Sequence, residues 1–425
     1  MPQYVVAGKK GALFNAKEHY SYLQAYGNCQ LLEHLNIIII EASPTVAQEL
    51  INQGYLLRES SPLRAHAQVQ EAATGTPISA IVDKFVARPF HSVGWTGKGW
   101  TIAVLDTGVR KSHVALRGRV IYEESTVPDL SPDDAFGHGT FVASLAAGNA
   151  PQYGIVGIAP DANIVSIKVL NNEGEGSDTT VLAGINRLLD LHKSGKLVVP
   201  LVNMSFGRPA TPPPDILEQA VLEMIRWGMA VTVAAGNKGP DPSTVTSPAT
   251  QKYAVAVGSV SLDYVVSNFS GRGPHPFMPS LIKPDICAYG ENIIGAGAAS
   301  DTALLRVTGT SAATPQITGG LAILGQSLFG TPQRVYEERG PRPWTDEQLA
   351  SFHQRFESYV ASTIAGKPDF APVPPGVKDN AYGWGIPLLT RAYQESISKV
   401  TLGSMMPLVM MVGLISMVGK IRAKP

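Results

Sequence analysis

Between about residue 95 and residue 260 the chain alternates short apolar runs with longer helix-like ones, and that alternation narrows the choice of fold more than any other feature. The apolar runs are Trp100–Leu105, Asn163–Leu170, Val198–Met204, Ala230–Ala234 and Tyr253–Gly258. Gly139–Ala147, Thr179–Leu191 and Pro214–Trp227 lie between them and read as helices. Parallel strands can be joined only by long crossovers, and helices in those crossovers cover both faces of the sheet. The expectation is therefore an α/β fold of three layers, a parallel sheet flanked by helices. A hydrophobic content of 44% with 16% charged residues suits a large core of this kind. Lys+Arg (34) and Asp+Glu (34) cancel, which argues against a polybasic surface, so no nucleic-acid partner is expected. Cys29 and Cys287 form no CxxC pair, so neither a thiolate zinc site nor a disulfide framework is expected.

Residues 1–60 read as a separate small α+β unit. Tyr4–Gly8 is strand-like and Ala16–Ala25 helix-like. Leu31–Ala42 holds the run Ile37-Ile38-Ile39-Ile40 and must be sheet, with room for a hairpin. Ser43-Pro44 supplies an N-cap and an N1 proline for a helix ending at Gly54, and Tyr55–Arg58 closes the unit. That order suggests a ferredoxin-like sandwich. Residues 61–90 are small, polar and weakly periodic and read as a linker. Residues 91–399 form the main domain, Pro-rich and irregular over 331–380 apart from a helix around Asp346–Ile364.

Residues 400–425 stand apart. Val400–Gly419 carries no charge and is followed by Lys420, Arg422 and Lys424. Its length matches the ~20 residues that cross a bilayer. A membrane span, a buried or interfacial helix and a removable tail are the three alternatives. For a span, the basic end belongs in the cytoplasm and the main domain outside. The first residues, Met1-Pro2-Gln3-Tyr4, lack the basic and apolar blocks of a secretory signal, which points the other way. The sequence assigns no compartment.

Three segments stand out chemically. Asp106 follows an apolar strand directly, at the edge where open α/β sheets build sites. By itself it would pass for a turn or cap residue. Gly137-His138-Gly139-Thr140 opens an apolar helix, and the glycines leave the imidazole uncovered and allow close backbone approach. Gly309-Thr310-Ser311-Ala312-Ala313-Thr314-Pro315 puts a serine at the start of a Gly-rich helix, where a capping role is the ordinary explanation. Taken together they give the chain order Asp…His…Ser.

With these motifs the sequence resembles the subtilisin-like serine proteases, or subtilases, over roughly residues 90–400. Asn203-Met204-Ser205-Phe206-Gly207, Ala234-Ala235-Gly236-Asn237, Lys283-Pro284-Asp285 and Tyr382-Gly383-Trp384-Gly385 match in the same order. The resemblance implies a serine endopeptidase with Ser311 as nucleophile, His138 as general base and Asp106 as the group orienting His138. It implies Asn237 as an oxyanion-hole amide, with the Ser311 N–H as second donor. It implies a polypeptide substrate lying as a strand between Gly174-Glu175-Gly176 and Ser205-Phe206-Gly207. It places Thr246 at the floor of the first side-chain pocket, made shallower by the threonine, with Lys238 near the rim and a preference for medium or acidic side chains. An inactive peptide-binding module on the same fold is the alternative; the intact Asp106, His138, Ser311 and Asn237 speak against it. A glutamate-based acid-active variant is excluded by His138.

The family's usual calcium carboxylate falls at Ala115, and Pro151 stands near its Asn position, so that site is expected to be absent and no cofactor or metal is implied. Gln316 stands where a His is usual. Residues 1–60 resemble the family's inhibitory propeptide, which implies a self-processing zymogen cut somewhere in 60–77, with the propeptide as an inhibitory partner. A separate ferredoxin-like binding domain is the other reading of this unit.

Overall fold

A computed structural model describes residues 1–71, 74–84, 87–339, 343–351, 353–354 and 378–386. The N-terminal unit runs β1 (Gln3–Lys9), α1 (Ala16–Leu23), β2 (Asn28–Leu32), β3 (Ile37–Glu41), α2 (Pro44–Asn52) and β4 (Tyr55–Glu59). Its antiparallel sheet has the order β2-β3-β1-β4. The hairpin allowed within 31–42 exists, but its first strand starts earlier, at Asn28. As expected, Ser43 Oγ caps α2 by accepting from Val46 N at 3.3 Å, with Pro44 at the first turn.

The isoleucine run has a packing reason. Side chains alternate across a strand, so four apolar residues in a row suit a strand covered on both faces. Ile38 and Ile40 pack with Leu23 and Leu50 beneath the unit's own helices. Ile37 and Ile39 join the core of the main domain instead. The contact is reinforced by Asn186, whose Oδ1 accepts from His34 N at 3.0 Å.

Residues 61–90 are not a bare linker. They hold β5 (Pro62–Ala65), β6 (Gln68–Glu71), β7 (Thr76–Pro77), α3 (Ile78–Lys84) and the start of α4 (Arg88–Ser92). The strands are short and pair with residues far along the chain, so no local periodicity announces them.

The main domain continues with β8 (Thr101–Asp106), β9 (Val120–Ser125), α5 (His138–Ala147), the small hairpin β10 (Asn149–Ala150) and β11 (Ile155–Val156), and β12 (Asn163–Lys168). Then come β13 (Glu175–Ser177), α6 (Asp178–Lys193), β14 (Leu201–Met204), β15 (Phe206–Gly207), α7 (Ile216–Arg226), β16 (Ala230–Ala234) and β17 (Val255–Val260). β18 (Ile286–Tyr289), β19 (Ile293–Ala296), β20 (Leu304–Thr308), α8 (Thr310–Phe329) and α9 (Pro332–Arg339) follow. Seven strands form one parallel sheet in the order β18-β17-β16-β14-β8-β12-β9. The chain leaves β8 toward one edge and later crosses back to build the other, so β8 and β14 flank a topological switch point, where α/β folds place their sites.

The central helix α8 is buried along most of its length, and its buried polar residues, such as Thr314, Gln316 and Thr318, are hydrogen-bonded inside the protein, as a core helix requires. Gly325 explains how it fits. A Cβ there would sit 2.3 Å from the buried Trp100 ring. Among the described residues no helix is long and apolar enough to cross a membrane. The stretch 400–419 and most of the expected helix Asp346–Ile364 lie outside the described residues.

Candidate active site

Asp106 is the last residue of β8 and is buried. Its Oδ1 accepts from Thr107 N at 2.8 Å and from His138 Nδ1 at 2.7 Å. His138 is the first residue of α5. The glycines on either side are required by backbone geometry. Gly137 has φ 99°, which an L side chain rarely adopts, and a Cβ on Gly139 would lie 2.0 Å from the Gly108 carbonyl oxygen. The imidazole is not uncovered, as the sequence suggested, but fully buried, because residues 62–67 of the same chain lie across the cleft.

Ser311 is the second residue of α8 and is also buried. Its N–H donates to the His66 carbonyl oxygen at 3.3 Å. Ser311 Oγ and His138 Nε2 are both buried without a hydrogen-bond partner among the described residues, so the bond between them is not formed while the cleft is filled. Asn237 is oriented by Thr310, whose N–H and hydroxyl donate to its Oδ1 at 3.0 and 2.9 Å. That leaves Nδ2 as its free donor beside Gly309. A Cβ on Gly309 would lie 2.2 Å from the His66 carbonyl oxygen and 2.8 Å from Asn237 Nδ2, so only glycine admits this approach.

β5 lies between the two segments expected to receive substrate, Gly174-Glu175-Gly176 and Ser205-Phe206-Gly207. β5 pairs antiparallel with β13 on one side and β15 on the other. Ala65 N donates to Gly174 O at 3.0 Å and His66 N to Ser205 O at 3.1 Å. Ser205 also ties this rim to α8, since its Oγ donates to Ser311 O at 3.2 Å and accepts from Asn203 Nδ2 at 2.9 Å. Thr246 faces the His66 ring, with Oγ1 at 3.0 Å from Nε2. A cavity of about 700 Å³ adjoins this point, bordered by Leu63, Ala65, Lys238, Val245 and Phe269.

Two buried charges were not legible as site residues. Asp134 Oδ1 accepts from Thr107 Oγ1, Phe136 N and Gly137 N, and its Oδ2 from the N–H and hydroxyl of Thr140. It thus holds the first turn of α5, which carries His138, against the end of β8. An Asp just ahead of the Gly-His-Gly run was the available signal. Burial raises the Asp134 carboxyl above its ordinary value against the opposing effect of these donors. Lys168, next to Asp106 across the β8–β12 pair, donates to Thr107 O at 2.5 Å. Burial lowers its ammonium, opposed by Asp134 and Asp106.

Gln316 is structural, donating to Tyr289 O and Ala312 O and accepting from Tyr289 N. Ala115 is buried, and its carbonyl accepts from Asn149 N at 2.8 Å. Among the described residues no group of three or more His, Cys, Asp or Glu could hold a metal ion.

A strand-wide cleft over a carboxylate–imidazole pair and a helix-terminal serine defines an enzyme that handles extended polypeptide. The sequence matches the subtilase family model over residues 97–385. It is 32% identical over 346 residues to serine protease AprX of Bacillus subtilis strain 168, covering 74% of this chain and 76% of that protein. It is 35% identical over 283 residues to the major intracellular serine protease of the same organism, covering 64% and 81%. It is 36% identical over 240 residues to subtilisin-like protease 2 of Pseudogymnoascus destructans, covering 56% and 55%. The chain belongs to the subtilase family and is a subtilisin-like serine endopeptidase.

Proposed function

We propose that the chain hydrolyses peptide bonds through Ser311, His138 and Asp106 and is made as a self-inhibited precursor. Ser311 Oγ attacks the carbonyl carbon while His138 takes its proton and later returns it to the leaving amine. Asp106 keeps the His138 proton on Nδ1 and stabilises the imidazolium. The Ser311 N–H and Asn237 Nδ2 receive the charge that develops on the carbonyl oxygen.

The observation that carries this reading is β5. The enzyme's own residues 62–66 lie as the middle strand of the cleft, with a carbonyl oxygen on the Ser311 N–H. In this reading residues 1–60 are the inhibitory domain and 61–90 the segment that is processed. A tethered strand acts at an effective concentration up to about millimolar, so modest affinity suffices to block the site. No metal takes part in the chemistry. The stretch 400–419 contacts a membrane, on the strength of its length and lack of charge. The inactive-module alternative is not favoured, since every group the chemistry needs is present.

A fluorophosphonate probe tests the assignment. Purified wild-type protein is expected to take the label and to mature on a gel. Ser311→Ala is expected to do neither, with kcat down by about 10⁶, the loss known from the corresponding change in subtilisin. Maturation of pure Ser311→Ala would overturn it.

A further inference from the structure

The cleft does not hold an arbitrary stretch of chain; it holds one peptide bond in register with the reacting groups. Upstream, Ala65 N and His66 N are tied to Gly174 O and Ser205 O. Downstream, β6 pairs antiparallel with β20, Gln68 opposite Thr308 and Glu71 opposite Leu305. The chain is thus fixed on both rims. Between them, the His66 carbonyl accepts from the Ser311 N–H in the first turn of α8, and both it and Asn237 Nδ2 lie against Gly309.

The side chain of the same residue enters the first pocket. A Cβ on Gly207 would lie 2.6 Å from His66 Nε2 and 2.9 Å from Thr246 Oγ1, so the ring passes where only glycine leaves room. Thr246 Oγ1 donates to Ala235 O at 3.3 Å. Its proton is therefore engaged, and it offers a lone pair to an N–H at Nε2. The titratable groups that face the ring are His138, at the start of α5, and Lys238, in the loop after β16. Burial first, and then these neighbours, disfavour a cation in the pocket.

We infer that the enzyme cuts its own chain between His66 and Ala67, and that its first pocket selects a neutral side chain of medium size that donates a hydrogen bond to Thr246. The inference rests on the protease reading above. Ser311 Oγ bonds to the His66 carbonyl carbon as the His66–Ala67 C–N bond breaks. The Ser311 proton passes through His138 to the Ala67 nitrogen. Water then attacks the acyl-enzyme, gives its proton to His138 and releases His66 as a carboxylate with free Ser311.

The test is the mass and N-terminal sequence of matured full-length protein, with fluorophosphonate labelling alongside. A mature chain starting at Ala67 and a fragment ending at His66 are expected. His66→Gln should mature within about tenfold of the wild-type rate, because an amide N–H also donates. His66→Arg should slow maturation at this bond by at least about a hundredfold, the penalty for leaving a charge and a hydrogen-bonding pocket mismatched. Thr246→Val should slow the wild-type chain by about 5–30-fold, the worth of one such bond, and slow His66→Leu by less. Melting of each variant combined with Ser311→Ala separates slow cutting from misfolding. Labelled, active enzyme that matures at another bond, or His66→Arg maturing as fast as wild type with an unchanged melt, overturns the inference while leaving the protease reading intact. Absence of both label and maturation in the wild type overturns the protease reading itself.

Discussion

Replacing Asp134 by asparagine exchanges one oxygen for an NH₂ group and should nonetheless be costly. The carboxylate accepts three hydrogen bonds on Oδ1 and two on Oδ2, at 2.6–3.0 Å. An asparagine retains one acceptor oxygen and substitutes an NH₂ group for the other. Its best orientation keeps the three bonds of Oδ1 and turns the NH₂ toward Thr140. The Thr140 N–H then faces a donor inside the protein, which costs about 1–3 kcal/mol. Burial already disfavours the charge at this position, so its loss adds nothing further. The expected cost is therefore about 1–3 kcal/mol. The measurement is urea unfolding in a Ser311→Ala background, so that self-cleavage does not distort the baseline. The midpoint should fall with the slope unchanged. Asp133→Asn, at the exposed neighbouring carboxylate, should stay within about 0.5 kcal/mol. An Asp134→Asn loss no larger than that control would refute the reasoning.

Asn237→Leu should lower kcat by roughly 10²–10³-fold with little change in KM, since one oxyanion donor survives; an unchanged kcat in a peptide assay would remove Asn237 from the mechanism. Acidification should loosen the cleft. Burial first, then His138 and Lys238, push the His66 imidazole down to about 3, whereas a free imidazole titrates near about 6.5. Because the seated form is neutral, the hold is complete above about 6.5 and weakens about tenfold per pH unit below it, about 30-fold at pH 5. Hydrogen exchange at the His66 N–H in full-length Ser311→Ala, corrected for intrinsic rates, should follow that line, and His66→Gln should be flat. Excess EGTA should leave the melting temperature unchanged; a metal bound at 100-fold its Kd would add about 2.7 kcal/mol, so a fall of several degrees would reveal a site not recognised in the sequence.

The parts of this fold that could be read in the sequence are those whose structure is decided locally. Ala230–Ala234 and the cap at Ser43-Pro44 appear where their own residues put them. The placement of Asp106, His138 and Ser311 was legible because each sits at the end of a regular element, where a motif is short and contiguous. Val120–Ser125 was missed because β9 is an edge strand carrying Glu123 and Glu124, so it lacks the apolar run of its neighbours. Pro62–Ala65 was missed for a different reason. Both of its partners, Glu175–Ser177 and Phe206–Gly207, lie more than a hundred residues away in the chain, and nothing in its own composition specifies a strand. His66 escaped notice as a single histidine in a polar stretch. The role proposed for it depends on Thr246 and Gly207, which the sequence does not bring near it.

With substrate in the place of β5, as proposed, the three-stranded arrangement β13-β5-β15 also sets a size limit on what the open enzyme can admit. Withdrawing β5 leaves two backbone edges facing each other across twice the ordinary strand spacing, roughly 9–10 Å. A helix with its side chains is about 10–12 Å across, and a hairpin brings a second strand for which there is no space. Only a single extended chain with both of its hydrogen-bonding edges free can fill such a slot. A folded protein offers one only where it opens locally, so its rate of cleavage should follow the free energy of that opening as well as the identity of the residue at the cut. The gap left by one strand would then make the enzyme a gauge of how well its targets are folded.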